Sequence, residues 1–219
     1  MARFNTRFMT VFTGTLVLLS ASLSAQADEV MAAVQEIQHQ WELIKYQTPA
    51  AEQEARFKTL SEQARAASET HKGRAEPLVW EAIVLSTYAG AKGGLGALSL
   101  VKQARDLLLE AEKIDANALD GSVYTSLGSL YYQVPGWPVG FGDDKKAKAY
   151  LEKALSINPN GIDPNFFYGD FLMEEGEYAT ALSAFDKAMA APARPGREIA
   201  DKGRRDEIAT LMAKARQKL

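Results

Sequence analysis

Few residues in this chain have the type and spacing to do chemistry, and those that stand out are acidic, aromatic or glycine. Its two histidines, His39 and His71, fall on different predicted helices without His-x-x-x-His spacing, and there is no cysteine among the 219 residues. Structural and catalytic zinc sites draw on imidazole and thiolate, so no metal set is readable. The missing thiols also exclude thiol catalysis, zinc-thiolate sites and a lipid-modified cysteine. No Ser-His-Asp or Glu-based catalytic set is readable, and the order of residues places no carboxylate pair at catalytic distance. The expectation is a chain that binds, with no cofactor and no catalysis.

Two other clusters invite chemical readings. The run Gly90-Ala91-Lys92-Gly93-Gly94-Leu95-Gly96 resembles a phosphate-binding loop in composition. Such a loop needs Lys-Ser or Lys-Thr after its last glycine and a strand before it, whereas helical patterns flank this run on both sides. It reads as a flexible helix–helix connector. Asp143 and Asp144 stand where a helix begins. Without a third carboxylate at ligand spacing they fit capping of that helix better than calcium binding.

The most distinctive stretch precedes those aspartates: Tyr131-Tyr132-Gln133-Val134-Pro135-Gly136-Trp137-Pro138-Val139-Gly140-Phe141-Gly142. Prolines restrict the backbone around Trp137, and the glycines permit tight reversals between them. An ordered loop over 134–142 follows, presenting or burying Trp137 and Phe141. Either both rings fold back on the edge of the fold as a plug, or they close one side of a binding groove, a use for which Trp is well suited.

Helices must position this loop. Residues 1–27 carry Arg3, Arg7, an apolar run from Met9 to Leu19 and an Ala-x-Ala end at Ala25–Ala27, the pattern of a cleaved secretory signal. The run is shorter than the roughly 20 residues that span a bilayer, so a periplasmic and not membrane-spanning chain is expected. Without that segment 23 basic residues face 28 acidic ones, a net of −5, which gives no reason to expect nucleic acid or an anionic membrane as partner.

Val30, Val34, Ile37, Trp41 and Ile44 then form one helical stripe, followed by a second helix through Phe57, Leu60 and Ala64, so 28–76 reads as a helix pair. Thr48-Pro49 and Asp163-Pro164 read as cap and first-turn proline of the helices they precede. Residues 77–116 supply a second pair, and 196–219 a polar-backed closing helix of the kind solenoids need at their ends.

A repeat is countable over 120–192. Tyr124, Leu127, Gly128 and Tyr131 precede Ala147, Leu151, Ala154 and Pro159; Tyr168, Gly169 and Leu172 precede Ala181, Phe185, Ala188 and Pro192. Ala147 to Ala181, Leu151 to Phe185 and Ala154 to Ala188 are each 34 residues apart, while Gly128 to Gly169 is 41, placing a seven-residue insertion between Tyr131 and Ala147. This pattern resembles the tetratricopeptide (TPR) family, with 77–116 a degenerate copy. The resemblance implies an all-α, TPR-like α-solenoid of about four antiparallel helix pairs plus a C-terminal capping helix. It also implies a concave face that binds a protein or peptide.

In the family's register that face would carry Ser122, Thr125, Ser129, Tyr132 and Gln133, then Asp163, Phe166, Asp170, Met173 and Glu174: polar, slightly acidic, with Tyr132, Phe166 and Met173 as apolar anchors. Arg194, Arg197, Arg204 or Arg205 would fold back on Asp143 and Asp144 to lock the loop. Val134-Pro135-Gly136 and Gly142-Asp143 with Ala147 also make the chain similar to the TatT components associated with TRAP transporters. That resemblance implies a transport accessory acting on a small solute or a solute-binding protein, as a ring-shaped homo-oligomer.

Overall fold

Apolar residues recur every three to four positions through most of the chain, and each such run folds as a helix with its apolar stripe turned inward. The structure is a computed structural model that describes the backbone of residues 14–219 and side chains from residue 27. Residues 1–13 of the signal segment lie outside the described residues.

Nine helices lie among the described residues: α1 (Gly14–Gln47), α2 (Ala50–Thr70), α3 (Ala75–Lys92), α4 (Gly94–Ile114), α5 (Ala118–Gln133), α6 (Asp144–Ile157), α7 (Ile162–Glu174), α8 (Tyr178–Met189) and α9 (Glu198–Arg216). Consecutive helices pack against one another throughout, most closely α3 with α4, α5 with α6, α7 with α8 and, between pairs, α2 with α3. The fold is an all-α, TPR-like solenoid of four antiparallel pairs plus a C-terminal helix.

The repeat register is the packing register. Ala147, Leu151, Ala154, Ala181, Phe185 and Ala188 are all fully buried. Leu151 and Phe185 fill the grooves between paired helices because the facing residues have no side chain. A Cβ on Gly128 would stand 2.6 Å from Leu151 Cγ, and one on Gly169 2.6 Å from Phe185 Cε1. The pair α1/α2 lacks the repeat signature yet stacks in the same way: Val34, Ile37, Trp41 and Ile44 meet Phe57, Leu60 and Trp80 in one apolar cluster.

Local departures from the sequence reading have physical causes. The glycine run holds the helix–helix connection at a single residue: α3 continues through Gly90 to Lys92, and the chain reverses at Gly93, whose φ of 65° a side chain would resist. Helix α5 opens with a left-handed turn at Leu119 (φ 51°), Asp120 (φ 54°) and Gly121 (φ 79°) before its regular turns begin. Thr48 does not cap α2; its hydroxyl donates to the Leu43 carbonyl, 3.2 Å away. Asp163 does not cap α7 either, because its carboxylate is engaged by arginines.

One departure alters the whole concave side. The first helices of successive pairs touch in order, α1 to α3 to α5 to α7, and α9 follows α7. Helix α9 also touches α1, so these five helices close a ring of contacts. The groove expected from the repeat register is therefore not open along its length: the chain's own last helix closes it between α7 and α1.

Candidate functional site

The inserted loop is held by its backbone. The amide of Asp143 donates to the Tyr131 carbonyl (2.8 Å), that of Gly142 to Pro135 (3.0 Å) and that of Gly140 to Gly136 (3.0 Å). The crossing is so close that a Cβ on Gly142 would collide with the Val134 carbonyl oxygen, and one on Gly140 with that of Pro135. Asp143 ends the loop as the N-cap of α6, its carboxylate accepting from the Lys146 amide at 3.1 Å.

The two aromatic rings of the loop part company. Phe141 turns inward, edge-on to Tyr131 at 5.5 Å and under the Arg105 guanidinium at 4.6 Å, while Tyr131 stacks on Tyr150. Trp137 turns outward and is 90% exposed, with Val139 beside it in the loop also exposed. Phe141 is the plug and Trp137 is free. Because the pairs are antiparallel, the α3–α4 junction lies at the same end of the solenoid as this loop, and there Leu95 is 86% exposed. Large apolar side chains thus stand out at that end on two neighbouring connections.

The inner face is polar and engaged. Tyr132 donates its hydroxyl proton to Asp170 Oδ2 (2.7 Å) and accepts from Gln133 Nε2 (3.1 Å), so these three predicted groove residues do come together. Burial pushes the Asp170 carboxyl above its ordinary range, against the bond from Tyr132 and the field of Arg204. Burial and the Asp170 charge likewise raise the Tyr132 hydroxyl. Phe166 is buried beneath the Arg204 guanidinium, 4.0 Å from its ring centre, and Met173 packs half-buried against the core. Neither is an open anchor.

The predicted pairing of the C-terminal arginines with Asp143 and Asp144 does not form. Arg194 binds Asp163 (2.6 Å) and Asp201 (2.7 Å), and Arg204 binds Asp163 (3.0 Å) and Glu207 (2.7 Å). Arg197 reaches Glu42 at 3.5 Å and lies over Trp80, while Arg205 donates to the Ala191 carbonyl. The reason is topological: α9 packs on α1, α7 and α8, whereas Asp143 and Asp144 begin α6, which does not touch α9.

Burial works to raise the Asp163 carboxyl, but Arg204 and Arg194 overcome it and hold the group down to about 2. Arg204 is held more firmly protonated than an ordinary guanidinium, because Asp163, Tyr46 and Glu207 outweigh its burial. Burial and neighbouring Arg194 push Arg197 the other way.

Two participants, Glu42 and Tyr46, stand outside the sequence patterns. Glu42, only 2% exposed, accepts from the Ala200 amide (3.1 Å) in the first turn of α9, where the helix dipole favours a carboxylate. Tyr46 approaches Glu207 Oε2 at 3.4 Å, and its ring lies where a Cβ on Gly203 would stand. A lone glycine inside the charged run Asp201-Lys202-Gly203-Arg204-Arg205 was the available sign of that close approach. Glu42 carries no such sign, being one of many helical glutamates.

Two clefts open elsewhere on the solenoid. One of about 360 Å³ opens between α2, α3 and α4, over Leu78 and Leu107, with Ser68 and Glu81 in its lining. A smaller one of about 170 Å³ lies between α6, α7 and α8, beside Pro159 and Tyr168.

No family model matches the chain, and no curated protein matches it. A solved structure described as the functional characterization of Pseudomonas aeruginosa pilF is similar over 83% of this chain and 88% of its own, at 20% identity and a TM-score of 0.33. At that score the likeness carries nothing about what this chain binds.

Proposed function

We propose that the chain is an exported interaction scaffold that binds a protein or peptide partner in the periplasm, working by recognition and not by catalysis. The observation that carries this reading is the exposed indole of Trp137 on a loop whose backbone is pinned and whose other aromatic ring packs half-buried on the core. An ordered loop that exposes its largest apolar side chain gives up burial the fold could have used. A partner that covers the ring recovers it at little loss of freedom, which is why Trp recurs at binding hot spots. Leu95 at the same end extends the surface.

The experiment is affinity capture from periplasmic extract with the wild-type chain and with Trp137→Ala. Export is checked separately by the mass of the mature chain: a start at Asp28 agrees with the reading, and a start at Met1 contradicts it.

The alternative is the TatT-like transport accessory, acting on a small solute or a solute-binding protein. Its small-solute form calls for an enclosed apolar pocket beneath 134–142, which the exposed indole of Trp137 does not help to close. A protein partner is favoured accordingly.

A further inference from the structure

Helix α9 is attached to the rest of the chain in a way that differs from the other helices. Its buried side chains are Ala200, Asp201, Arg204, Ile208, Met212 and Ala215, so charged Asp201 and Arg204 stand among the apolar groups of its inner face. Charge supplies most of the remaining attachment. Arg197, the N-cap residue of α9, and Arg204, in its second turn, reach Glu42 on α1 and Asp163 on α7. Arg194, just before the helix, joins Asp163 to Asp201.

The guanidiniums also lie on aromatic faces, Arg197 over Trp80 and Arg204 over Phe166 and Phe167. Ion pairs that must be desolvated contribute little net stability compared with apolar packing of the same volume. Helix α9, the last of the chain, is therefore held in large part by ion pairs and specifically addressed by charge, which sets it among the segments expected to open first. Beneath it lie two carboxylates, Glu42 and Asp163, beside aromatic rings on α3 and α7.

We infer that α9 is a displaceable occupant of the concave face. The face it covers takes an amphipathic helix with an arginine at its N-cap and a second in the second turn, from a partner, in place of the chain's own. This rests on the scaffold reading and names the chemistry of a second partner surface. Charge complementarity selects the occupant: Asp163 and Glu42 accept guanidiniums, the aromatic faces flank them, and a lysine at either position would lose the planar stacking. In the closed state the chain satisfies its own face, and a partner must compete with α9 for it.

The test uses the full chain and a labelled peptide of residues 194–216 as probe. Arg197→Ala/Arg204→Ala weakens the resident helix and leaves the receiving face intact. The peptide should bind this chain on the order of tenfold more tightly than wild type, the resident helix having lost its advantage. Adding Asp163→Asn should abolish the gain.

Equal affinity for wild type and the double variant overturns the inference, as does a gain that survives Asp163→Asn. Hydrogen exchange on the unmodified chain gives a second, independent reading. Amides of α9 should exchange before those of α1 and α7, and equal protection of all three overturns the inference even if the double variant does not fold. The titration contains no periplasmic partner, so its failure leaves the Trp137 capture result standing, and the two readings fall separately.

Discussion

Arg204 and Asp163, 41 residues apart in the chain, meet at 3.0 Å between Nε and Oδ1, and this contact joins the last helix to the concave side of the repeat. It has a pH signature. The Asp163 carboxyl is held down to about 2 from an ordinary value of 3.8, so its contribution to stability is complete above the ordinary value and is lost as pH falls toward about 2. Asp163→Asn should cost about 2–3 kcal/mol at neutral pH, below the full cost of breaking a buried pair because Glu207 and solvent still reach Arg204. Urea unfolding at several pH values checks this: the wild-type midpoint should fall across that acid window more steeply than the variant's. Parallel profiles would contradict it.

Glu81 has the opposite sign. Burial pushes its carboxyl above the ordinary value of 4.5, outweighing the Ser68 hydroxyl that donates to it. A group raised in the folded state weakens the fold as pH rises through and beyond its ordinary value. Glu81→Gln keeps an acceptor for Ser68 and removes the charge. It should raise the melting temperature at pH 7 by roughly 2–4 °C and leave it unchanged near pH 4. Thermal melts at the two pH values decide the matter, and a uniform loss would show that the carboxylate is favourable.

The glycines of the repeat make a matched pair of tests. Gly169→Ala sets a Cβ against the Phe185 ring and should destabilise by about 1–3 kcal/mol. Gly90→Ala, inside α3 with nothing near the added methyl, should stabilise by about 0.5–1 kcal/mol. Denaturant midpoints measure both, and the same sign for the two would refute the packing account.

The repeat was legible because its periodicity is local: Ala147, Leu151 and Ala154 recur 34 residues on, and each small residue sits where a neighbouring helix comes close. The inserted loop was legible for the same reason, being counted against that register. Its internal division was not, because Trp137 and Phe141 are alike in composition, and Arg105 on α4 favours one ring over the other. The closing of the concave face was not legible either. It depends on the accumulated turn of four pairs, which brings Tyr46 against Gly203 across 157 residues of chain. The arginines were recognised as partners for carboxylates, but the carboxylates they found were Asp163, Asp201 and Glu42 and not Asp143 or Asp144.

The exposed indole tests the account most directly. Trp137→Ala removes a side chain that stands almost entirely in solvent, so its melting temperature should match the wild type's, a change within about 0.5 kcal/mol. In affinity capture from periplasmic extract, the wild-type chain should retain a partner that Trp137→Ala, equally folded, retains at much lower yield. The same partners at the same yield from both chains would contradict the account.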